Sequence, residues 1–419
     1  MIRLIEVLNY RCLRYIRQPL GPFHVLVGPN ASGKTTFLDV VAFLGRLVSD
    51  GPDAAIGERA RKFQDLVWGQ DGATFELAVE AGIPDVAKSD HNGKFDTIRY
   101  EVSIGLSPET KEIGILQERA ALKIQPSTRL RERLLFPVEP QTPDTIISRR
   151  SSRGEQTILT KAMRGNDNYY SEVRGDSGGK GWIPSFRLGP KRSALGNLTE
   201  DESRFPVSTW FKRFLIEGVQ TLVLNSLVIR RASPPGQVRG FKPDGSNLPW
   251  VIEDLRNKGK DRFDDWIRHL QTALPDLVDV RTVEREDDKH RYLKVCYRNG
   301  LEVPSWMVSD GTLRLLALTL PAYLRDLTGV YLIEEPENGI HPGAVETLFQ
   351  SLSSVYDAQI LLATHSPVIL SQARLEQVLC FKKTDRGATD IVAGPEHPAL
   401  RDWKGRPNLD VIFASGVLG

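Results

Sequence analysis

Cysteine is scarce in this sequence. Cys12, Cys296 and Cys380 are the only three in 419 residues. No two form a C-x-x-C pair, which argues against a disulfide framework or a zinc knuckle. An excess of one charge is missing too: 55 basic residues face 53 acidic ones, for a formal net charge of +2. A surface that binds nucleic acid everywhere is therefore not indicated, and only a local basic face would serve that end. No uninterrupted apolar run is long enough to span a membrane. The first residues, Met1 to Val7, alternate like a strand and lack the apolar core of a signal peptide. There is no fixed-period repeat and no sustained heptad pattern, which argues against a long coiled-coil arm. Together these absences point to a soluble protein of a reducing, cytoplasmic compartment with no membrane partner. What is present, a 40% hydrophobic and 8% aromatic composition, suffices for a sizeable core. The length suggests two or three domains, or one large core with an insertion.

One stretch stands out from this ordinary background. Gly28-Pro29-Asn30-Ala31-Ser32-Gly33-Lys34-Thr35-Thr36 fits G-x-x-x-x-G-K-[ST], a phosphate-binding loop. An apolar run, His24 to Val27, precedes it, and a helical pattern follows over 34–48. Strand, glycine loop and helix are the context the motif requires. The glycines let backbone N–H groups converge on an anion, and the helix start adds its positive dipole end. Gly28, Asn30, Ala31, Ser32, Gly33, Lys34, Thr35 and Thr36 are the candidate nucleotide contacts. Lys34 is expected on the β- and γ-phosphates and the Thr35 hydroxyl on Mg²⁺.

The rest of the chain reads unevenly. Strands are expected over 2–8 and 23–28, with a polar turn at 9–14 and a short helix over 54–64. Residues 66–80 read as a hairpin or meander whose second strand is 73–80. Alternation returns over 95–105, within a β-rich lobe spanning roughly 65–125. Residues 126–200 carry little pattern, and 149–153 and 175–181 read as exposed loops. Apolar faces reappear at 211–215 and 222–224, and 232–246 is rich in proline and glycine. The spacing of Phe263, Trp266, Ile267, Leu270 and Leu274 predicts an amphipathic helix over 261–274, ended by Pro275. That stripe is read as packing. Strands follow at 278–285 and 291–298.

Three stretches after residue 305 supply what a nucleotide loop lacks. Val330 to Ile333 is an apolar strand that ends in Glu334 and Glu335. Neighbours at a strand tip point in different directions. Glu334 is assigned to the metal, through water, and Glu335 to the general base. Leu361 to Ala363 is a second apolar strand, running into Thr364 and His365. A helix over 343–356 between the two would make a right-handed crossover and bring Glu335 and His365 to one sheet edge. His365 is then placed to donate to the γ-phosphate or the water. Ser309-Asp310-Gly311 opens a helix over 312–326 that Pro321 should kink. A serine and a glycine at that helix start form a second anion site, which makes sense on a nucleotide held by a second copy of the chain.

In this order the motifs resemble the ABC-type ATPase heads of the SMC, RecF and OLD-like group, and most closely the single-chain AAA-family ATPases of bacterial defence operons. The likeness covers roughly 1–80 and 240–419. It implies an α/β P-loop NTPase head: a mixed or parallel sheet with flanking helices, an antiparallel β lobe and a large inserted β-rich and helical region. The implied division is 1–80 and 301–419 for the two halves of the head, 81–240 for the insertion and 241–300 for a lid segment. The likeness also implies a signature motif at 309–314, a Walker B motif at 330–335, a D-loop at 337–342 and a switch histidine at His365. Gln70 falls where such heads carry a Q-loop glutamine that touches Mg²⁺ and the water. Two departures stand out. Glu334 replaces the transporter-type aspartate, and Asn338-Gly339-Ile340-His341-Pro342 replaces the transporter-type D-loop. Both fit the OLD-like branch.

The resemblance implies a magnesium-dependent ATPase that forms a homodimer or higher even oligomer around ATP and regulates a separate effector, a nuclease first of all. OLD proteins carry a Toprim nuclease after the ATPase. The 54 residues after His365 hold no acidic cluster of that kind, so a nuclease is expected on another chain. The alternative is a RecF-type clamp that binds DNA directly, supported by Arg129, Arg131, Arg133, Arg149, Arg150, Arg153, Arg187, Lys191, Arg192, Arg230 and Arg231. A transporter ATPase ranks third, since the β-rich insertion and the motif variants argue against it.

Overall fold

The computed structural model describes residues 1–88, 94–107, 109–124, 133–148, 154–173, 185–238, 240–325 and 327–401. The loops expected at 149–153 and 175–181, with Arg129, Arg131, Arg149, Arg150 and Arg153, lie outside them.

The chain opens with the hairpin β1 (Ile2–Tyr10) and β2 (Leu13–Pro19), then β3 (Phe23–Val27) and α1 (Lys34–Asp50). After α2 (Pro52–Gly57) come β4 (Thr74–Gly82), β5 (Thr97–Leu106), β6 (Ile113–Lys123), β7 (Gln156–Ala162), β8 (Asp167–Tyr169) and β9 (Ser185–Phe186). Next are α3 (Pro206–Glu217), β10 (Val219–Leu222), α4 (Ser226–Ile229), α5 (Leu248–Lys258) and α6 (Lys260–Ala273). The chain continues through β11 (Leu277–Glu284), β12 (Arg291–Tyr297), β13 (Glu302–Pro304), α7 (Asp310–Thr319) and β14 (Gly329–Glu334). It then runs through α8 (Pro342–Ser353), β15 (Ala358–Ala363), α9 (Pro367–Gln372), β16 (Val378–Lys383) and β17 (Thr389–Ala393).

Two large sheets organise these elements. The first is antiparallel, in the order β2-β1-β4-β5-β6-β7-β8-β9. Pairing of β4 with β5 carries it across residues 80–81 without a break, where the sequence suggested the start of an insertion. The second, β10-β14-β15-β3-β16-β17, is parallel except for its edge strand β17. A small antiparallel sheet, β11-β12-β13, stands apart.

The parallel sheet is buried on both faces, which is why its strands read as continuous apolar runs. Leu26, Leu332 and Leu361 face one core, shared with Phe37, Val41 and Leu44 of α1. Val25, Ile333 and Leu362 face the other, shared with α6, α7 and α8. One polar side chain breaks this pattern. Gln359 is fully buried in β15. Its amide accepts from the Ile2 N–H at 2.8 Å and donates to the carbonyls of Ile2 at 2.8 Å and Gly21 at 2.6 Å. It ties β15 to the first residue of β1 and to the connection before β3, satisfying backbone groups of both. Charge is spent inside as well. Arg99 lies buried among Glu6, Glu80 and Glu101, each within 3.0 Å of it.

Three sequence expectations change. Residues 66–72 are not a strand: Phe63–Leu66 and Trp68–Gln70 are tight 3-10 turns, with Gly69 at φ 72° and Gln70 at φ 60°. Successive left-handed residues cannot continue an extended strand. The turn expected over 9–14 is only its middle, and β2 follows as an edge strand whose half-exposed pattern hides its alternation. The helix expected over 312–326 begins at Asp310 and becomes a 3-10 turn at Leu320–Tyr323, around Pro321. That is the break a proline inside a helix produces. No helix among the described residues is long and apolar enough to cross a membrane.

Candidate nucleotide-binding site

Strands β3, β15 and β14 lie side by side and parallel, so their C-terminal tips meet at one edge. In an open α/β sheet, this is the edge where ligands bind. From β3 the chain enters the glycine loop. Gly28 has φ 148° and Gly33, at the start of α1, has φ 105°. Each is also walled in from the next strands. A Cβ at Gly28 would lie 2.2 Å from the Phe381 carbonyl oxygen, and one at Gly33 would lie 2.4 Å from Thr389 Oγ1. Ala31 takes φ 62° without being glycine, a strained conformation of the kind found around ligands. Asn30 and Ala31 are exposed, Ser32 is buried and Thr36 half-buried.

Lys34 is buried, and its ammonium folds back on its own loop, donating to the carbonyls of Gly28 at 2.8 Å and Pro29 at 3.0 Å. Burial brings its pKa down to about 8, opposed by the charges of Glu335 and Glu334. A desolvated cation whose hydrogen bonds among the described residues go to carbonyls suits an anionic ligand. Thr35 Oγ1 donates to Glu334 Oε2 at 2.5 Å. A hydroxyl and a carboxylate are hard oxygen donors of the type Mg²⁺ takes alongside phosphate oxygens. Ser32 Oγ is buried with no partner among the described residues.

At the tip of β14, Glu334 and Glu335 are exposed while the four residues before them are buried. Glu335 adopts φ 45° and its N–H donates to the Ala363 carbonyl at 2.8 Å. Its carboxylate accepts from the Asn338 amide. At the tip of β15, the Thr364 N–H donates to the Leu26 carbonyl at 3.2 Å, which sets His365 beside the loop. The imidazole pKa is lowered, first by burial and then by the Lys34 ammonium, while Glu335 and Glu337 oppose the shift. Lys34, Thr35, Glu334, Glu335 and His365 thus share one edge.

Sequence reasoning missed Glu337. Its Oε1 accepts from Thr364 Oγ1 at 2.6 Å and from the His365 N–H at 3.1 Å, while Oε2 is buried without a partner among the described residues. It ties the turn after β14 to the tip of β15. The available signal was a third carboxylate two residues beyond the pair.

The other candidates make no hydrogen bond to this cluster among the described residues. Ser309 caps α7, its Oγ accepting from the Thr312 N–H at 3.2 Å. A Cβ at Gly311 would lie 2.5 Å from the Gly339 carbonyl oxygen, so this glycine lets α7 pack on the turn after β14. Arg230 holds the neighbouring Asp310 and the Trp306 carbonyl. Among the described residues no hydrogen bond links Ser309 or Gly311 to the glycine loop. Gln70 is exposed, and its side chain bonds none of the cluster among the described residues. Of the basic residues proposed for DNA, Arg133 is paired with Asp390, Lys191 with Asp53 and Arg230 with Asp310. Arg187, Arg192 and Arg231 are exposed.

Residues 23–371 match the protein-family model described as "AAA domain, putative AbiEii toxin, Type IV TA system". The chain is 49% identical over 443 aligned positions to the OLD nuclease of Thermus scotoductus (strain ATCC 700910 / SA-01), covering all of this chain and 71% of that protein. It is 24% identical over 159 residues to the "Retron Vc95 probable ATPase" of Vibrio cholerae serotype O1 biovar El Tor, a match to 34% of this chain and 31% of that one. Among solved structures, an SMC head bound to the C-terminal winged-helix domain of ScpA superposes with a TM-score of 0.52 at 12% identity. That superposition covers 93% of this chain and 96% of the head, and it speaks for the fold alone. The fold, the nucleotide-type edge and these matches agree: the chain belongs to this AAA-domain family, is related to the OLD nuclease and shares its fold with SMC heads.

Proposed function

We propose that the chain binds ATP with Mg²⁺ at the glycine loop and hydrolyses it slowly. On this reading two copies close around the nucleotide, and its state governs a separate effector, a nuclease first of all, in a cytoplasmic defence complex. The observation that carries the reading is the meeting of Lys34, the Thr35–Glu334 pair, Glu335 and His365 at one sheet edge.

Lys34 leaves the carbonyls of Gly28 and Pro29 and takes the β- and γ-phosphate oxygens. The loop's N–H groups take the remainder, as helix starts do. Thr35 Oγ and Glu334, the latter through water, would hold the metal together with Gln70. When bound, Mg²⁺ neutralises the charge that builds on the phosphates. Glu335 orients the attacking water and takes its proton as the oxygen–phosphorus bond forms and the bond to the β-phosphate oxygen breaks. His365, whose pKa is lowered first by burial and then by the Lys34 ammonium, donates to a γ-phosphate oxygen. Glu337 fixes the backbone from which His365 projects. Ser309 and Gly311 act on the nucleotide of the second copy, which accounts for the lack of a hydrogen bond between them and the glycine loop of their own chain among the described residues.

The relatives support the wider setting: one is named a nuclease and another a retron "probable ATPase". A RecF-type DNA clamp has less support, since Arg133, Lys191 and Arg230 already have carboxylate partners. Sedimentation of the Glu335→Gln chain with ATP and Mg²⁺ tests the proposal. A nucleotide-dependent dimer is expected, and a strictly monomeric species would sink the sandwich. Lys34→Ala should bind no ATP.

A further inference from the structure

The floor of the glycine loop belongs to neither of the strands that carry the candidate chemistry. It is built by β16 and β17. Phe381 of β16 lies under Gly28 and meets Phe37 of α1 edge to face at 5.5 Å. Thr389, the first residue of β17, is fully buried. Its hydroxyl donates to the Ser32 carbonyl at 2.8 Å and its N–H donates to the Cys12 carbonyl at 2.9 Å. The same Oγ1 occupies the space a Cβ on Gly33 would need. One buried hydroxyl therefore fixes the orientation of the peptide that follows Ser32, whose N–H, on Gly33, points away from Thr389 across the trans peptide.

Asp390, the next residue, is gripped from the other side. Arg133 places both terminal nitrogens on its carboxylate, at 2.9–3.0 Å, and also donates to the Ile391 carbonyl at 2.9 Å. The Val138 N–H donates to the same carboxylate at 2.8 Å. Glu139 then accepts from the Arg386 N–H at 3.1 Å, in the turn before β17. Farther along, the segment crosses to the antiparallel sheet. There Glu76 accepts from Thr145 Oγ1 and the Ile146 N–H, and Glu101 accepts from the Ser148 N–H. Residues 133–148 therefore strap β17 to the β-rich sheet. A bidentate arginine–carboxylate pair at the middle of the strap is geometrically demanding as well as strong.

We propose that Thr389 is a positioning residue of the glycine loop, and that the Arg133–Asp390 pair couples the segment 133–148 to it, so that the β-rich region sets the affinity for ATP through β17. This rests on the reading that the loop binds ATP. A displacement of the strap pulls on Asp390, and Thr389, one residue away on the same strand, moves with it. The alternation of a strand suits this: Thr389 points to the loop and Asp390 to the strap.

The test is calorimetric binding of ATP with Mg²⁺ to the full chain, paired with steady-state hydrolysis. Thr389→Val keeps the shape and removes the hydroxyl. It should raise Kd and KM for ATP about five- to tenfold, the range of one net hydrogen bond, with kcat nearly unchanged. Thr389→Ser, which keeps the hydroxyl, should return affinity to within about twofold. Asp390→Asn and Arg133→Ala should each weaken binding in the same direction. The double variant should be no weaker than the worse single one, as coupled partners behave. Should Thr389→Val fail to fold, the Arg133 and Asp390 variants decide alone. Parent-like affinity in Thr389→Val, or in both strap variants, overturns the inference while the ATP-binding reading stands. A parent chain that binds no ATP overturns both.

Discussion

Acid should destabilise this protein through His24 before most of its carboxylates are protonated. The imidazole sits in β3, one strand-length before the glycine loop, and is buried. Its Nε2 accepts from the Gly21 N–H at 2.7 Å, which leaves the proton on Nδ1, facing the Gln377 carbonyl at 3.2 Å. Burial lowers its pKa to about 4, against 6.5 for an unperturbed histidine, with the Gln377 hydrogen bond opposing the shift. Between those two values the unfolded chain binds the proton and the folded chain does not. Stability therefore rises with pH across this window and falls as pH drops from 6.5 toward 4. The full effect is about 3 kcal/mol, and about 2 kcal/mol is already lost between pH 7 and pH 5. His365 and His397, both with lowered pKa values, add in the same direction, so the comparison must isolate His24. His24→Gln does so: the amide oxygen accepts from Gly21, the amide nitrogen donates to Gln377, and nothing titrates. Urea unfolding of both proteins at half-unit steps from pH 7.5 to pH 5 gives the answer. The parent should lose about 2 kcal/mol more than the variant. Parallel curves would refute the account.

Three further outcomes follow from the same structure. Gln359→Leu leaves the Ile2 N–H and the carbonyls of Ile2 and Gly21 without buried partners, so denaturant unfolding should show a loss of about 3–5 kcal/mol; a loss below 1 kcal/mol would mean that water replaces the amide. Glu337→Ala should slow hydrolysis with little change in ATP affinity, because Thr364 and the His365 N–H lose their acceptor. Glu337→Gln keeps an oxygen for both and should recover most of the rate, and equal rates in the two variants would remove Glu337 from the mechanism. Ser309→Arg should bind ATP yet neither dimerise in sedimentation nor turn over, whereas hydrolysis at the parental rate would show that this serine does not act across the dimer.

The sequence by itself determined the parts whose chemistry is local. A glycine loop between an apolar run and a helix has few other readings, because positive φ, a strand exit and a helix start must coincide within a few residues. The carboxylate pair after four apolar residues and the histidine after a second apolar run were legible for the same reason: parallel strands buried on both faces leave only their tips polar. Tertiary structure decided what depends on residues far apart in the chain. Nothing local to Glu337 says that it braces Thr364 and His365, and nothing local to Thr389 says that it bonds Ser32, 357 positions away. The edge strand β2, the continuity of the antiparallel sheet past residue 80 and the buried amide of Gln359 were hidden likewise. Each is set by the partner that satisfies its backbone or polar groups, and hydropathy period carries no record of that partner. The same holds for His24. Its neighbours in sequence mark it as a strand residue, and only the burial of the folded chain makes it titrate near pH 4.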